Sequence, residues 1–219
     1  MGRWDAARAE VLEACRRIVA AGLVSGASGN VSRRLREPDG EFVAITPTRI
    51  PYSRLRAEDV LVIDFEAEPV EGEGVPSSET LTHLAAYRAR PDVGAVIHTH
   101  SVYASVLAVA GLEIPPLVDE QVVALGGPVA VAEYGMSASE DLARKAVAAL
   151  GERNAALLRN HGLLGVGADL EEAATVCELV ERLAKVYVHA LALGRANPLP
   201  EDVVATEVKF FRMLRGRMP

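Results

Sequence analysis

The sequence predicts a single α/β domain over residues 1–219, and three observations carry that reading. Segments with apolar residues at helical spacing alternate along the chain with shorter apolar runs of strand length. Glycine or proline punctuates most of the junctions, as at Gly22, Pro91, Gly111, Gly151 and Gly194. No internal repeat, low-complexity tract or interdomain linker interrupts the pattern. Half of the 219 residues are hydrophobic, enough to bury a sizeable core.

The first helix spans 3–21, with Val11, Cys15, Ile18 and Val19 at helical spacing and Gly22 as its stop. The small residues 25–30 (Ser-Gly-Ala-Ser-Gly-Asn) form a loop. Taken alone it is an ordinary connection, but its backbone N–H groups and the Asn30 amide can also hold an anion. Residues 31–36 and 41–46 read as two strands joined by the turn Glu37-Pro38-Asp39-Gly40. A rigid, hydroxyl-rich stretch follows at 46–52, then a strand over 59–65 and an exposed acidic loop over 66–76. Ser77 or Ser78 caps a helix that runs to Arg90, and Glu79 favours its N-terminal dipole. His83 shares a face with Glu79 and reads better as a structural partner than as a ligand.

The next strand, 93–101, ends in His98-Thr99-His100. A short helix over 101–110 and an irregular segment from Ile114 through Asp119 and Glu120 come after it. Residues 129–132 make a short strand and Glu133-Tyr134-Gly135 a turn. Ser137 and Glu140 fit a capping box for a helix to Leu150. A buried strand over 155–158 leads through Arg159-Asn160-His161-Gly162 to a hairpin partner over 163–166. Asp169 caps a long helix to about Leu193, and a last helix spans 201–215.

Composition removes several function classes. The formal charge is −7 and no basic cluster is dense enough to track a nucleic-acid backbone, so no nucleic-acid partner is expected. No apolar run approaches the ~20 residues of a membrane span. The first five residues carry no apolar signal core. Cys15 and Cys177 match no metal or redox spacing and read as buried free thiols, which fits a cytoplasmic protein. Only three lysines occur, Lys145, Lys185 and Lys209, and all read as exposed. That leaves little for Schiff-base chemistry.

The chemistry centres on His98 and His100. Strand side chains alternate with period 2, so both imidazoles point the same way and form half of a transition-metal site. His161 sits at another strand end beside Gly162. With Glu79 at a helix start, three histidines and a carboxylate complete a set of four ligands. Structural zinc usually takes cysteines, so an all-His/Glu set favours catalysis. Glu79, once released, is a carboxylate placed to move a proton next to a carbonyl. Ser77, Ser78, Gly29, Asn30 and Thr48 can bind a phosphate nearby through hydroxyls, an amide and a helix N-terminus.

Taken in order, Gly29-Asn30-Val31-Ser32, Ile45-Thr46-Pro47-Thr48, Ile50-Pro51-Tyr52, Pro76-Ser77-Ser78-Glu79, His98-Thr99-His100, Gly126-Gly127 and Asn160-His161-Gly162 resemble a known family. It is the class II, metal-dependent sugar-phosphate aldolases of the L-fuculose-phosphate aldolase and ribulose-phosphate 4-epimerase type, which also includes the adducin head. The resemblance implies a three-layer α/β/α domain with a mixed, largely antiparallel central sheet. It implies a cyclic homotetramer with sites at subunit interfaces, and Zn2+ (Mn2+ and Co2+ also suit the ligands) held by Glu79, His98, His100 and His161. Glu79 would be ligand and acid/base. Gly29, Asn30, Thr48, Arg49, Ser77 and Ser78 would surround the phosphate. The implied reaction cleaves L-fuculose 1-phosphate, or a similar ketose 1-phosphate, to dihydroxyacetone phosphate and L-lactaldehyde through a zinc-stabilised enediolate.

Three positions depart from the aldolase pattern. Arg49 stands where it has glycine, and either adds a charge-assisted phosphate contact or blocks the pocket. Asp119 and Glu120 occupy the stretch where it has a proton-donating tyrosine, and Tyr134 is the other candidate donor. Phe210 and Phe211 occupy the region of its C-terminal tyrosine. The competing readings are a 4-epimerase, or a decarboxylase or dehydratase of a phosphorylated sugar acid on the same scaffold. Glu79 favours the aldolase, since the epimerase branch carries aspartate there. All four ligands are present, which argues against an adducin-like binding module.

Overall fold

The computed structural model describes residues 2–216. Helix α1 (Asp5–Ala20) precedes a hairpin of β1 (Asn30–Glu37) and β2 (Gly40–Ile45). A 3-10 turn (Ala57–Asp59), β3 (Leu61–Ile63) and β4 (Pro69–Glu71) follow. Next come α2 (Thr80–Ala89), β5 (Ala95–Thr99), α3 (Val102–Ala110), α4 (Asp119–Leu125) and β6 (Val131–Ala132). The described chain ends with α5 (Glu140–Leu150), β7 (Ala155–Leu158), β8 (Gly162–Gly167), α6 (Leu170–Ala192) and α7 (Glu201–Leu214).

The strands form one sheet in the order β4-β3-β2-β1-β5-β8-β7-β6. Each pairing is antiparallel except β6 with β7. Alternation along the strands divides the core in two. Val31, Leu35, Ala95, Ile97, Leu157 and Leu163 point to a layer containing α1, α3 and α6. Val43, Ile45, Val96, Leu158, Leu164 and Val166 point to the layer of α2 and α5. Both faces are covered, so the central strands read as continuous apolar runs. Each fully buried Val, Leu or Ile contributes about 1.5–3 kcal/mol relative to exposure. The fold is the expected mixed, largely antiparallel sheet between two helical layers.

Several local expectations are corrected. The acidic stretch 66–76 contains β4, whose residues pair with Val62 and Ile63 as an exposed edge strand. Backbone pairing and the Arg8–Glu71 ion pair (2.7 Å) override its loop-like composition. The strand expected over 59–65 shortens to β3, because Asp64 Oδ1 turns inward along the chain to accept from the N–H groups of Glu66 and Glu68. The irregular segment after Pro116 becomes α4, which buries Gln121, Val122 and Leu125 and ends on left-handed Gly126. The strand over 129–132 reduces to β6, with Val129 bridging Ile114 instead. Helix α5 is capped by Ser139, whose hydroxyl accepts from Leu142 N–H at 3.1 Å, and not by Ser137. Neither serine caps α2 from outside. Glu79 occupies the N-cap position, and Ser77 Oγ accepts from Glu79 N–H at 3.3 Å. Lys145 is half-buried and pairs with Asp141, while Lys185 and Lys209 are exposed. Cys15 and Cys177 are buried and free, and burial pushes both thiols up. No described helix is long and apolar enough to cross a membrane.

Candidate metal centre and anion cradle

His98 is on β5, on the sheet face that carries Val96, and His100 lies one residue past the strand end. His161 joins them from the tight connection between β7 and β8. That connection reverses at Asn160, whose φ of 57° is the left-handed conformation asparagine tolerates. Gly162 makes the approach possible. A Cβ there would sit 2.3 Å from Thr99 O, 3.1 Å from His98 Cε1 and 3.2 Å from His100 Cδ2. The ring centroids are 4.7 Å apart for His98–His100, 4.6 Å for His98–His161 and 5.1 Å for His100–His161. One nitrogen from each ring lies within 4.8 Å of the others.

The electrostatics suit a cation. Burial, then the neighbouring imidazoles of His161 and His100, hold His98 well below the usual histidine range. Partial desolvation and His161 lower His100. Neutral imidazoles have lone pairs to give. His98 Nδ1 lies 2.9 Å from Leu163 O, so it donates there and leaves Nε2 free to coordinate. His98 Nε2 and His100 Nε2 converge to 2.9 Å. Three convergent ring nitrogens, with the His98 tautomer fixed by Leu163 O, fit a divalent transition metal.

Glu79 is 4% exposed and lines the same cavity, but its carboxylate stands outside the group of three convergent histidine nitrogens. Its Oε1 accepts from Ser137 Oγ and, at 3.0 Å, from Ala138 N–H. Oε2 accepts from Thr82 Oγ1 at 3.3 Å. The structure thus gathers three of the four expected ligands and holds the fourth against the loop before α5. Ala138 has φ 63°, a strained conformation that aims its N–H at the carboxylate. The sequence offered no signal for this grip, since Ser137 and Glu79 are 58 positions apart.

The cavity, of about 150 Å³, is floored by His98, His100 and His161 and walled by residues from three loops. Ser28, Gly29 and Asn30 come from the first. Thr48 and Arg49 come from the second, and Ser77 and Ser78 from the third. All six expected phosphate residues therefore meet beside the histidines. Gly29 (φ 76°) is pinned by close approach, since a Cβ would lie 2.6 Å from His98 O. Arg49, also left-handed at φ 63°, is exposed and does not plug the cavity. His83 is fully buried, with Nε2 2.6 Å from Asn30 Oδ1 and Nδ1 2.6 Å from Ser32 Oγ, so it is structural as expected. The three candidate proton donors are elsewhere in this chain. Asp119 and Glu120 open α4, Glu120 pairing with Arg182, and Tyr134 is 58% exposed. None of them lines the cavity.

Comparison with known proteins places the chain in a family. The family model for the class II aldolase and adducin N-terminal domain matches residues 9–188. The chain is 36% identical to a 5-deoxy-D-ribulose 1-phosphate aldolase from Bacillus thuringiensis serovar kurstaki, over 93% of this chain and 94% of that one. It is 35% identical to an L-fuculose phosphate aldolase from Escherichia coli O6:H1, over 93% of each chain. A solved L-fuculose 1-phosphate aldolase superposes with a TM-score of 0.88 at 35% identity, covering 94% of this chain and 95% of that chain. The chain belongs to the class II aldolase and adducin N-terminal domain family, and within it to the aldolases.

Proposed function

We propose that this chain, a single domain over 1–219, reversibly cleaves a ketose 1-phosphate such as L-fuculose 1-phosphate into dihydroxyacetone phosphate and an aldehyde, L-lactaldehyde in that case. One observation carries the reading: a three-histidine centre, a buried carboxylate and an anion cradle open into one small cavity. His98, His100 and His161, with Glu79 as an exchangeable fourth ligand, would hold the metal, and zinc is the proposed resident ion. When bound, the ion supplies Lewis acidity toward a carbonyl and an adjacent oxygen.

The chain's own residues do the rest. Asn30, the hydroxyls of Thr48, Ser77 and Ser78, and the Arg49 guanidinium bind and orient the phosphate. In the cleavage direction the C4 hydroxyl gives its proton to a base on the aldehyde side, the bond between C3 and C4 breaks as C4 becomes the aldehyde carbon, and the bonding electron pair passes to C3 beside the carbonyl. A carboxyl oxygen of Glu79 returns a proton to the carbon next to the carbonyl. In the condensation direction the Glu79 carboxylate takes that proton away. Ser137, Ala138 and Thr82 keep the carboxylate within the cavity wall while it does so.

The proposal includes a cyclic homotetramer in the cytoplasm whose neighbouring subunit completes the aldehyde side, where no candidate donor of this chain reaches the cavity. The two relatives described above are named for different sugars, so both sugars are tested. Purified, zinc-loaded protein is given L-fuculose 1-phosphate and 5-deoxy-D-ribulose 1-phosphate in turn, and dihydroxyacetone phosphate is measured. Metal-dependent release from either supports the aldolase and names its better sugar. Release from neither transfers the cavity to an epimerase, decarboxylase or dehydratase of another sugar phosphate.

A further inference from the structure

Beneath the cradle, on the sheet face covered by α2, a line of polar side chains runs through otherwise apolar core. Tyr87 Oη lies 2.8 Å from Ser32 Oγ. Ser32 Oγ lies 2.6 Å from His83 Nδ1, and His83 Nε2 lies 2.6 Å from Asn30 Oδ1. Tyr87, Ser32 and His83 are 0% exposed and Asn30 is 5% exposed. The His83 ring meets a hydroxyl and an amide oxygen and no carboxylate in a fully buried site, so it carries one proton.

With one proton on the imidazole the line can run in two directions. In the first, Tyr87 donates to Ser32, Ser32 to His83 Nδ1, and His83 Nε2–H to Asn30 Oδ1. Every proton along the line from Tyr87 to Asn30 then has an acceptor, and the Asn30 NH2 is available to the cavity that Asn30 lines. In the second, the Asn30 amide is reversed and each bond with it. Ser32 then donates to Tyr87, whose oxygen also meets the Val96 backbone N–H, and among its hydrogen-bond partners in the described residues none is left to accept the phenol proton. A buried hydroxyl without an acceptor is costly, so the first direction prevails. A phosphate oxygen only accepts, so the same direction is the one that binds it.

We propose that His83 is a positioning residue: held in its Nε2–H form by Ser32 and Tyr87, it locks the Asn30 amide with the NH2 aimed at the phosphate. This rests on the cradle reading above and adds to it the device that gives the cradle its polarity. It also accounts for a histidine placed where it neither reaches the metal centre nor meets solvent.

Two measurements test it on the zinc-loaded protein. The first is the nitrogen-15 spectrum of the side chains of its five histidines, with the His83 signals assigned by their loss in His83→Gln. A protonated Nε2 and bare Nδ1 at His83 support the proposal, and the Nδ1–H form overturns it. The second is inorganic phosphate affinity, measured by calorimetry. His83→Leu should bind phosphate about tenfold more weakly while keeping its zinc. His83→Gln, whose amide can still donate to Asn30, should recover most of that loss. Unchanged affinity in a folded, zinc-loaded His83→Leu overturns the proposal alone. No phosphate binding by the wild-type protein overturns the cradle reading, and the proposal with it.

Discussion

Asn30 lies directly opposite His98 in the antiparallel ladder between β1 and β5. Register partners of this kind have their Cβ atoms within about 5.5 Å on one face. The loop that opens at Asn30 and the three-histidine cluster are thus joined through a single strand pair, and a ligand that spans both needs no hinge between them. Gly29, just before Asn30, tightens the link by packing its backbone on His98 O.

Gly162 is where the centre is most sensitive to volume. Gly162→Ala would drive a methyl into Thr99 O and against His98 and His100. Overpacking against backbone costs about 1–3 kcal/mol. The expected outcome is a lowered melting temperature together with weakened zinc retention, read by calorimetry and metal analysis on the same sample. A variant that holds zinc normally would show that the strand end has slack.

Arg49 sits in a left-handed conformation that disfavours any side chain. Such strain costs of order 1 kcal/mol. Arg49→Gly should keep or raise the melting temperature while raising KM for the phosphorylated substrate several-fold, with kcat little changed. Steady-state kinetics beside a thermal melt checks it, and an unchanged KM would remove Arg49 from the cradle.

Ser137 holds Oε1 of Glu79 against the loop before α5. Hydrogen bonds to a charged group are worth about 1.5–3 kcal/mol. In Ser137→Ala the carboxylate should favour the histidine side. Zinc then dissociates more slowly and kcat falls about tenfold. Dissociation into a chelator and turnover should move in these opposite directions.

Acid sensitivity follows from burial. His83 is pushed down to about 3, and His98 is also lowered. The unfolded chain takes up protons at both as pH falls below ~6.5, while the folded chain does not. Their contribution is complete above ~6.5 and declines as pH drops toward the folded values. Each histidine should cost the metal-free protein about 1.4 kcal/mol per pH unit in that window. Urea melts between pH 7 and 5 measure the slope, and His83→Gln should flatten it by one histidine's share.

The sequence revealed the parts of this site that depend on local period and local chemistry. Strand alternation put His98 and His100 on one side, and their rings are 4.7 Å apart. Small residues at 25–30 and the paired serines before Glu79 marked loops that meet in one cavity. Features set by distant contacts were not legible. The direction of the Glu79 carboxylate depends on Ser137, and β4 exists because a composition typical of loops found an open edge beside β3. Helix α4 was obscured by Pro115-Pro116, although Val122 and Leu125 carry helical spacing into Gly126. Asp119 and Glu120 follow from correspondence along the chain and Tyr134 from its place as a substitute donor in a turn, and neither route brings a side chain to the cavity.

The central claim is that this cavity labilises the proton beside the carbonyl of dihydroxyacetone phosphate. The direct measurement places the zinc-loaded protein with that compound in heavy water and follows its hydroxymethylene proton signal by NMR. Stereospecific loss of one proton is expected, abolished by a chelator and by Glu79→Gln. Retention of both protons by a protein verified to hold zinc would contradict the claim.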